Sequence, residues 1–181
     1  TISRPMGSAS KWWLHHSLTS FQAQLDGLIF RRGEPLSILM ELAQISGANA
    51  VFWNRRYDPD SITKDKNIKR KLESININVR TFNASLLNEP WQVATRSGTP
   101  FKVFTPYWKA ACAQPPTDPL PLIRPSSVFK IDKSENLSDW NLTPSKPNWA
   151  AEWTNYWEPG ELGAQTRLHD FLNSQLDGYG Q

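Results

Sequence analysis

The sequence of 181 residues has one cysteine, no long apolar run and no signal-peptide pattern. The single Cys112 excludes an internal disulfide and agrees with a reducing compartment. Because no apolar stretch approaches the length of a membrane-spanning helix, we expect a cytoplasmic protein without membrane contact. The chain opens with Thr1 instead of Met, which indicates a sequence trimmed at its front.

Motifs for common chemistry are also absent. Neither a Gly-x-Gly-x-x-Gly loop nor a Walker pattern occurs, which disfavours an ordinary nucleotide-binding module. Adjacent His15 and His16 point roughly 100° apart on a helix and cannot form a metal pair. Without metal-ligand spacing or an interpretable nucleophile, base and acid set, we predict no catalytic residue and no metal site.

Charge and aromatic content indicate a globular protein. The formal net charge is only +3, which is no nucleic-acid-binding signature by itself. The unusual feature is nine tryptophans, which either stack on a flat ligand or fill the core, and we favour the core.

Apolar periodicity predicts alternating strands and helices. Ser8 or Ser10 is expected to cap a first helix that runs to about Asp26, and later helices are expected from Pro35 to Gly47 and from Ile62 to Ile75. Thr105-Pro106 suggests another helix start. Strands are predicted near 28–31, 49–54 and 77–82. The expected fold class is α/β, with a Rossmann-like parallel sheet and flanking helices.

Polar side chains follow the second predicted strand where it ends. This strand, with Val51, Phe52 and Trp53, runs into Asn54-Arg55-Arg56-Tyr57 and then into a turn at Asp58. The carboxyl edge of an open α/β sheet is where ligands bind. Two interpretations stay open: Arg55 and Arg56 contact a ligand, or they pair with Asp58 and Asp60 on the surface. The acids of this turn are expected to cap the next helix.

The second half of the chain has a different character. Residues 113–150 are proline-rich and aperiodic, which predicts an irregular linker with Trp140 and Trp149 as anchors. A final helix is predicted from Leu162 to Leu176, with Leu168 and Leu172 on its apolar face.

Four stretches resemble the DNA photolyase and cryptochrome family. They read Gly7-Ser-Ala-Ser-Lys-Trp-Trp-Leu-His15, Asn54-Arg-Arg-Tyr-Asp-Pro59 with Lys64-Asp65, Glu89-Pro-Trp91 with 101–108, and Trp153-Thr-Asn-Tyr-Trp-Glu-Pro-Gly-Glu161. The resemblance implies a truncated antenna domain at 1–112, an interdomain linker at 113–150 and the start of a FAD-binding helical domain at 151–181. The first strands of the sheet are then missing, which predicts self-association through an exposed sheet edge.

The resemblance also implies a ligand. Antenna domains hold a folate, a deazaflavin or a flavin, and the residues expected to bind it are Asn54, Arg55, Arg56, Tyr57, Lys11, Lys64 and Asp65. Folate is not specified, because Asp60-Ser61 stands where folate-binding members carry Asn-Glu. FAD, contact with damaged DNA and light-driven repair are expected of the full-length parent only. A cryptochrome photoreceptor and an unrelated nucleotide-binding module are the alternatives.

Overall fold

The computed structural model describes residues 5–115, 118, 120–121, 128–129 and 131–180. Its helices and strands are α1 (Ser8–Gln24), α2 (Pro35–Ser46), β1 (Ala50–Asn54), α3 (Pro59–Glu73), β2 (Asn78–Phe82), α4 (Phe104–Cys112) and α5 (Glu161–Ser174). Short 3₁₀ turns lie at Leu137–Trp140, Trp153–Asn155 and Leu176–Gly178. The chain forms two compact units, Thr1–Arg32 with Ser127–Gln181, and Gly33–Ser126. None of the described helices is long and apolar enough to cross a membrane.

The sheet of the Gly33–Ser126 unit is parallel. β1 pairs with β2 in a register that runs from Ala50 opposite Asn78 to Asn54 opposite Phe82, and α3 makes the crossover between the strands. The predicted α/β class with a parallel sheet and flanking helices is therefore confirmed. One sheet face leaves Phe52 and Phe82 exposed, with ring centroids 6.1 Å apart. Self-association of this small sheet stays a prediction.

The strand predicted at 28–31 is wrong. These residues have no regular secondary structure and belong to the other unit. The Phe30 amide donates to Ser134 Oγ over 3.0 Å, and the Phe30 carbonyl accepts from the Glu135 amide over 2.8 Å. An apolar run becomes a strand only beside another extended backbone, and here its neighbour is an irregular segment.

Local signals explain where α2 and α3 begin. Pro35 opens α2, and the Glu34 carboxylate accepts from the amides of Leu36 and Ser37. Pro59 opens α3, three residues earlier than predicted, and Asp58 Oδ1 accepts from the Ser61 amide over 2.9 Å. The predicted capping role of an acid at this turn is confirmed.

Other helix ends differ from the predictions by a few residues. Gly7 takes the N-cap position of α1 and no side chain caps it, so the predicted serine cap is wrong. This helix ends at Gln24 instead of Asp26. α4 begins at Phe104, which puts Pro106 inside the first turn. Proline is tolerated there because the first amides of a helix lack partners within it.

The core of the Gly33–Ser126 unit lies between the sheet and two helices. Its buried members are Ala43, Ile68, Leu72, Ile77 and Val79, and Leu36, Leu39, Val51 and Trp53 pack against them. Leu72 is 0% exposed. α3 is therefore held against the sheet by its apolar face, which fixes the position of its other residues.

Tryptophans build much of the other unit. Trp12 is 3% exposed and meets Trp153 edge-on, with the two ring centroids 5.2 Å apart. The ring centroids of Trp149 and Trp153 are 5.0 Å apart. Trp140 packs edge-on against Phe30, and its Nε1 donates to Glu135 over 2.9 Å. Core filling is thus confirmed for Trp12, and Trp140 anchors its segment on Phe30 as predicted. Trp149 is 43% exposed and contacts a residue four positions later, so its anchoring role stays a prediction.

Candidate functional site

A cavity of about 380 Å³ lies at the carboxyl end of β1, within the Gly33–Ser126 unit. Its walls come from the end of β1 and the turn after it, one face of α3, β2 and the loop that follows β2. The lining residues are Trp53, Arg55, Arg56, Tyr57, Ile62, Asp65, Lys66, Lys69, Thr81 and Trp91. The cavity therefore occupies the edge at which parallel sheets hold ligands.

The spacing of residues on α3 explains its wall. Ile62, Asp65, Lys66 and Lys69 stand at i, i+3, i+4 and i+7, which places them on one face of a helix. Leu72, further along α3, belongs to the buried core. The same helix thus supplies both the apolar core contact and the charged wall.

Arg55 and Glu89 form a two-pronged ion pair in the site. Arg55 Nε donates to Glu89 Oε1 over 2.6 Å, and Nη2 donates to Oε2 over 2.9 Å. Arg55 Nη1 also donates to the carbonyl of Thr81 on β2. Glu89 is only 6% exposed, and a buried carboxylate is tolerated because this two-pronged pairing compensates for its lost hydration.

Tyr57 joins the same carboxylate. Its hydroxyl donates to Glu89 Oε1 over 2.6 Å. The hydrogen bonds from Arg55 hold the pKa of Glu89 below its usual value, against the opposing effect of burial. Burial, together with the bond to Glu89, raises the pKa of Tyr57. Glu89 is therefore an ionised acceptor that fixes both neighbours.

Arg56 has a separate partner on α3. Its Nη2 donates to Asp65 Oδ1 over 2.5 Å, and this hydrogen bond is the main reason that the pKa of Arg56 is raised. The alternative in which the two arginines pair with Asp58 and Asp60 is therefore wrong, since their ion-pair partners are Glu89 and Asp65.

The structure brings four of the seven predicted site residues together and places the other three elsewhere. Arg55, Arg56, Tyr57 and Asp65 line the cavity together. Asn54 ends β1 and Lys64 lies on α3, both exposed and outside the described lining. Lys11 lies on α1 in the other unit.

Several residues that line or support the cavity were missed by sequence reasoning. Glu89 and Trp91 lie more than 30 residues after Arg55, although the Glu-Pro-Trp stretch itself stands out in the sequence. The guanidinium carbon of Arg55 lies 5.7 Å from the centroid of the Trp91 ring. Lys66 and Lys69 were recognisable only from their helical spacing relative to Asp65. Long-range pairing thus joins two stretches that the sequence shows separately.

A family model described as DNA photolyase matches residues 2–125. The chain belongs to the DNA photolyase family. A deoxyribodipyrimidine photo-lyase of Agrobacterium fabrum is 42% identical over 97% of this chain and 38% of the relative. Cryptochrome-1 of Arabidopsis thaliana is 32% identical over 96% of this chain and 26% of that protein.

A solved structure of this family agrees in fold. The crystal structure of a bacterial class III photolyase from Agrobacterium tumefaciens matches with a TM-score of 0.82 and 40% identity, over 99% of this chain and 39% of that one. The chain thus spans about two fifths of the length of each of these two photolyases.

Proposed function

We propose that this chain is the antenna domain of a DNA photolyase and that its cavity at the carboxyl end of β1 holds a light-harvesting chromophore. The observation that supports this most is the combination of aromatic and cationic side chains in that cavity. Family membership supplies the reason to expect a chromophore, and the 42% identity to a photolyase favours that branch.

The cavity residues suit a flat, anionic heteroaromatic group. Its volume of about 380 Å³ is in the range of small-molecule sites. Trp53 and Trp91 offer aromatic surface and Ile62 offers an aliphatic wall. Lys66 and Lys69 on α3 add positive charge, which favours the phosphate of a flavin or the glutamate tail of a folate.

Each group of residues has a distinct part in holding the ligand. Glu89 keeps the Arg55 guanidinium and the Tyr57 hydroxyl in place before any ligand arrives, so little order is lost on binding. Asp65 does the same for Arg56. The chromophore, when bound, supplies the absorption of light.

Repair chemistry is proposed for the full-length protein. A photolyase uses reduced FAD to split pyrimidine dimers in damaged DNA, and we assign the FAD site and the DNA contact to parts outside these 181 residues. We expect the chain alone to neither bind FAD stoichiometrically nor repair thymine dimers under blue light. Light-dependent repair by the isolated chain would contradict this assignment.

A cryptochrome function is the second candidate. It is favoured by the 32% identity to Cryptochrome-1, which extends over nearly the whole chain. The two functions differ in one measurable activity. Blue-light repair of thymine dimers by the full-length protein supports the photolyase, and flavin photoreduction without repair supports the cryptochrome.

The antenna role is tested by filling the cavity. Ile62→Trp adds a large ring to the cavity wall without changing a charge, so we expect it to expel the chromophore. The absorption spectrum of the full-length protein, with mass spectrometry of the extracted ligand, measures occupancy. We expect at least a tenfold loss.

The control is Lys71→Trp, which puts the same ring on α3. Lys71 is exposed and stands nine residues after Ile62, on the opposite face of the helix. We expect this variant to keep its chromophore. Full occupancy in Ile62→Trp would show that the chromophore lies elsewhere.

A further inference from the structure

We propose that Lys66 selects anionic ligands in the cavity by pairing with a phosphate or terminal carboxylate, while Trp91 stacks on the heterocycle. This inference rests on the proposed function, because it names the groups by which the same cavity recognises its chromophore. It adds two residues to the predicted site and gives each a separable role.

The arginines at the cavity leave no positive charge for a ligand, which directs attention to the lysines of α3. The two carboxylates at the cavity, Glu89 and Asp65, are each taken by two hydrogen bonds from an arginine. Each pair is neutral within itself, so neither arginine leaves an excess charge. The positive charge that remains must come from the lysines on the α3 wall.

The two lysines are not equivalent. Lys69 Nζ lies 3.7 Å from Glu73 Oε1, one turn further along α3. Lys66 is exposed, and among the described residues no carboxylate oxygen lies within 4.0 Å of its ammonium group. An ammonium group that lines a cavity and has no ion-pair partner among the described residues is available to an incoming anion.

Trp91 provides the apolar half of the recognition. It is 60% exposed although it lines the cavity, and the Arg55 guanidinium lies over its ring. Glu89, two residues earlier in the chain, holds that guanidinium in place. A large aromatic surface held beside a cavity is suited to stacking on a flat heterocycle.

The role of Lys66 is tested with two ligand pairs in which one member carries an additional anionic group. FMN carries the phosphate that riboflavin lacks, and folate carries one more carboxylate than pteroate. Binding is measured by equilibrium dialysis on the FAD-saturated full-length protein, freed of its antenna ligand. The unmodified protein should prefer the more anionic member of at least one pair about tenfold, as one charge-assisted hydrogen bond predicts.

The variants separate the two roles. Lys66→Ala should reduce this preference to about twofold or less, Lys66→Arg should restore it, and Lys71→Ala should leave it unchanged. Trp91→Ala should weaken both members of a pair equally. The pair that shows the preference identifies whether the anion is a phosphate or a carboxylate.

Two outcomes contradict the proposal in different ways. If the unmodified protein binds a pair with the expected preference and Lys66→Ala keeps it, the assignment of Lys66 is wrong while the antenna function stands. If the unmodified protein binds none of the four compounds, or binds both members of each pair equally, the inference is wrong, and the antenna function is judged separately by the chromophore occupancy of Ile62→Trp.

Discussion

Replacing Leu72 with alanine should destabilise the Gly33–Ser126 unit strongly. Leu72 is 0% exposed and belongs to the cluster that joins α3 to the sheet. Loss of three buried carbons costs about 2.4 kcal/mol of transfer free energy at roughly 0.8 kcal/mol each. A residual cavity of about 50 Å³ after partial collapse adds roughly 1 kcal/mol, so the expected cost is about 3.5 kcal/mol.

Urea denaturation followed by far-UV circular dichroism measures this cost. With a slope of about 1.5 kcal/mol per molar urea, the midpoint should fall by about 2 M. Tryptophan fluorescence is a poorer probe because the nine tryptophans are spread over both units.

Leu87→Ala is the matched control, since Leu87 belongs to the same unit and is 75% exposed. The same chemical change there should alter the free energy of unfolding by less than about 0.5 kcal/mol. The reasoning is refuted if the two variants shift the midpoint equally, because the core would then not depend on Leu72.

Two further predictions concern the cavity and the start of α5. Because the pKa of Glu89 is lowered in the folded state, its ionised carboxylate stabilises the fold at pH values above the ordinary pKa of 4.5, and this contribution is lost as the pH falls through the folded-state pKa. Glu89→Gln should therefore lower the free energy of unfolding at pH 7 and make it decline less in acid. Urea midpoints measured from pH 7 to 3 that run parallel in both proteins would contradict this. Gly163→Ala places a Cβ 2.0 Å from the Glu158 carbonyl oxygen, so a thermal melt should show a loss of about 1–3 kcal/mol. Gly178→Ala, which meets no atom within 4 Å, should be nearly neutral, and equal melting temperatures for the two variants would show that α5 can shift freely.

The sequence by itself determined those features whose signals are local. Pro35 and Gly47 bracket α2, because proline suits the first turn and the left-handed φ of 67° at Gly47 suits glycine. The apolar run 50–53 and the polar residues after it marked β1 and its carboxyl edge. The family resemblance rested on such local stretches as well, and it is borne out by the comparisons.

Tertiary structure decided everything that depends on a distant partner. The run at 28–31 has strand-like composition, yet its backbone bonds to Ser134 and Glu135 about a hundred residues later. Arg55 was expected to contact a ligand or an acid in the next turn, and its partner is Glu89, 34 residues away. Helix ends are encoded by neighbouring residues, whereas strand formation and ion pairing require groups that only folding brings together.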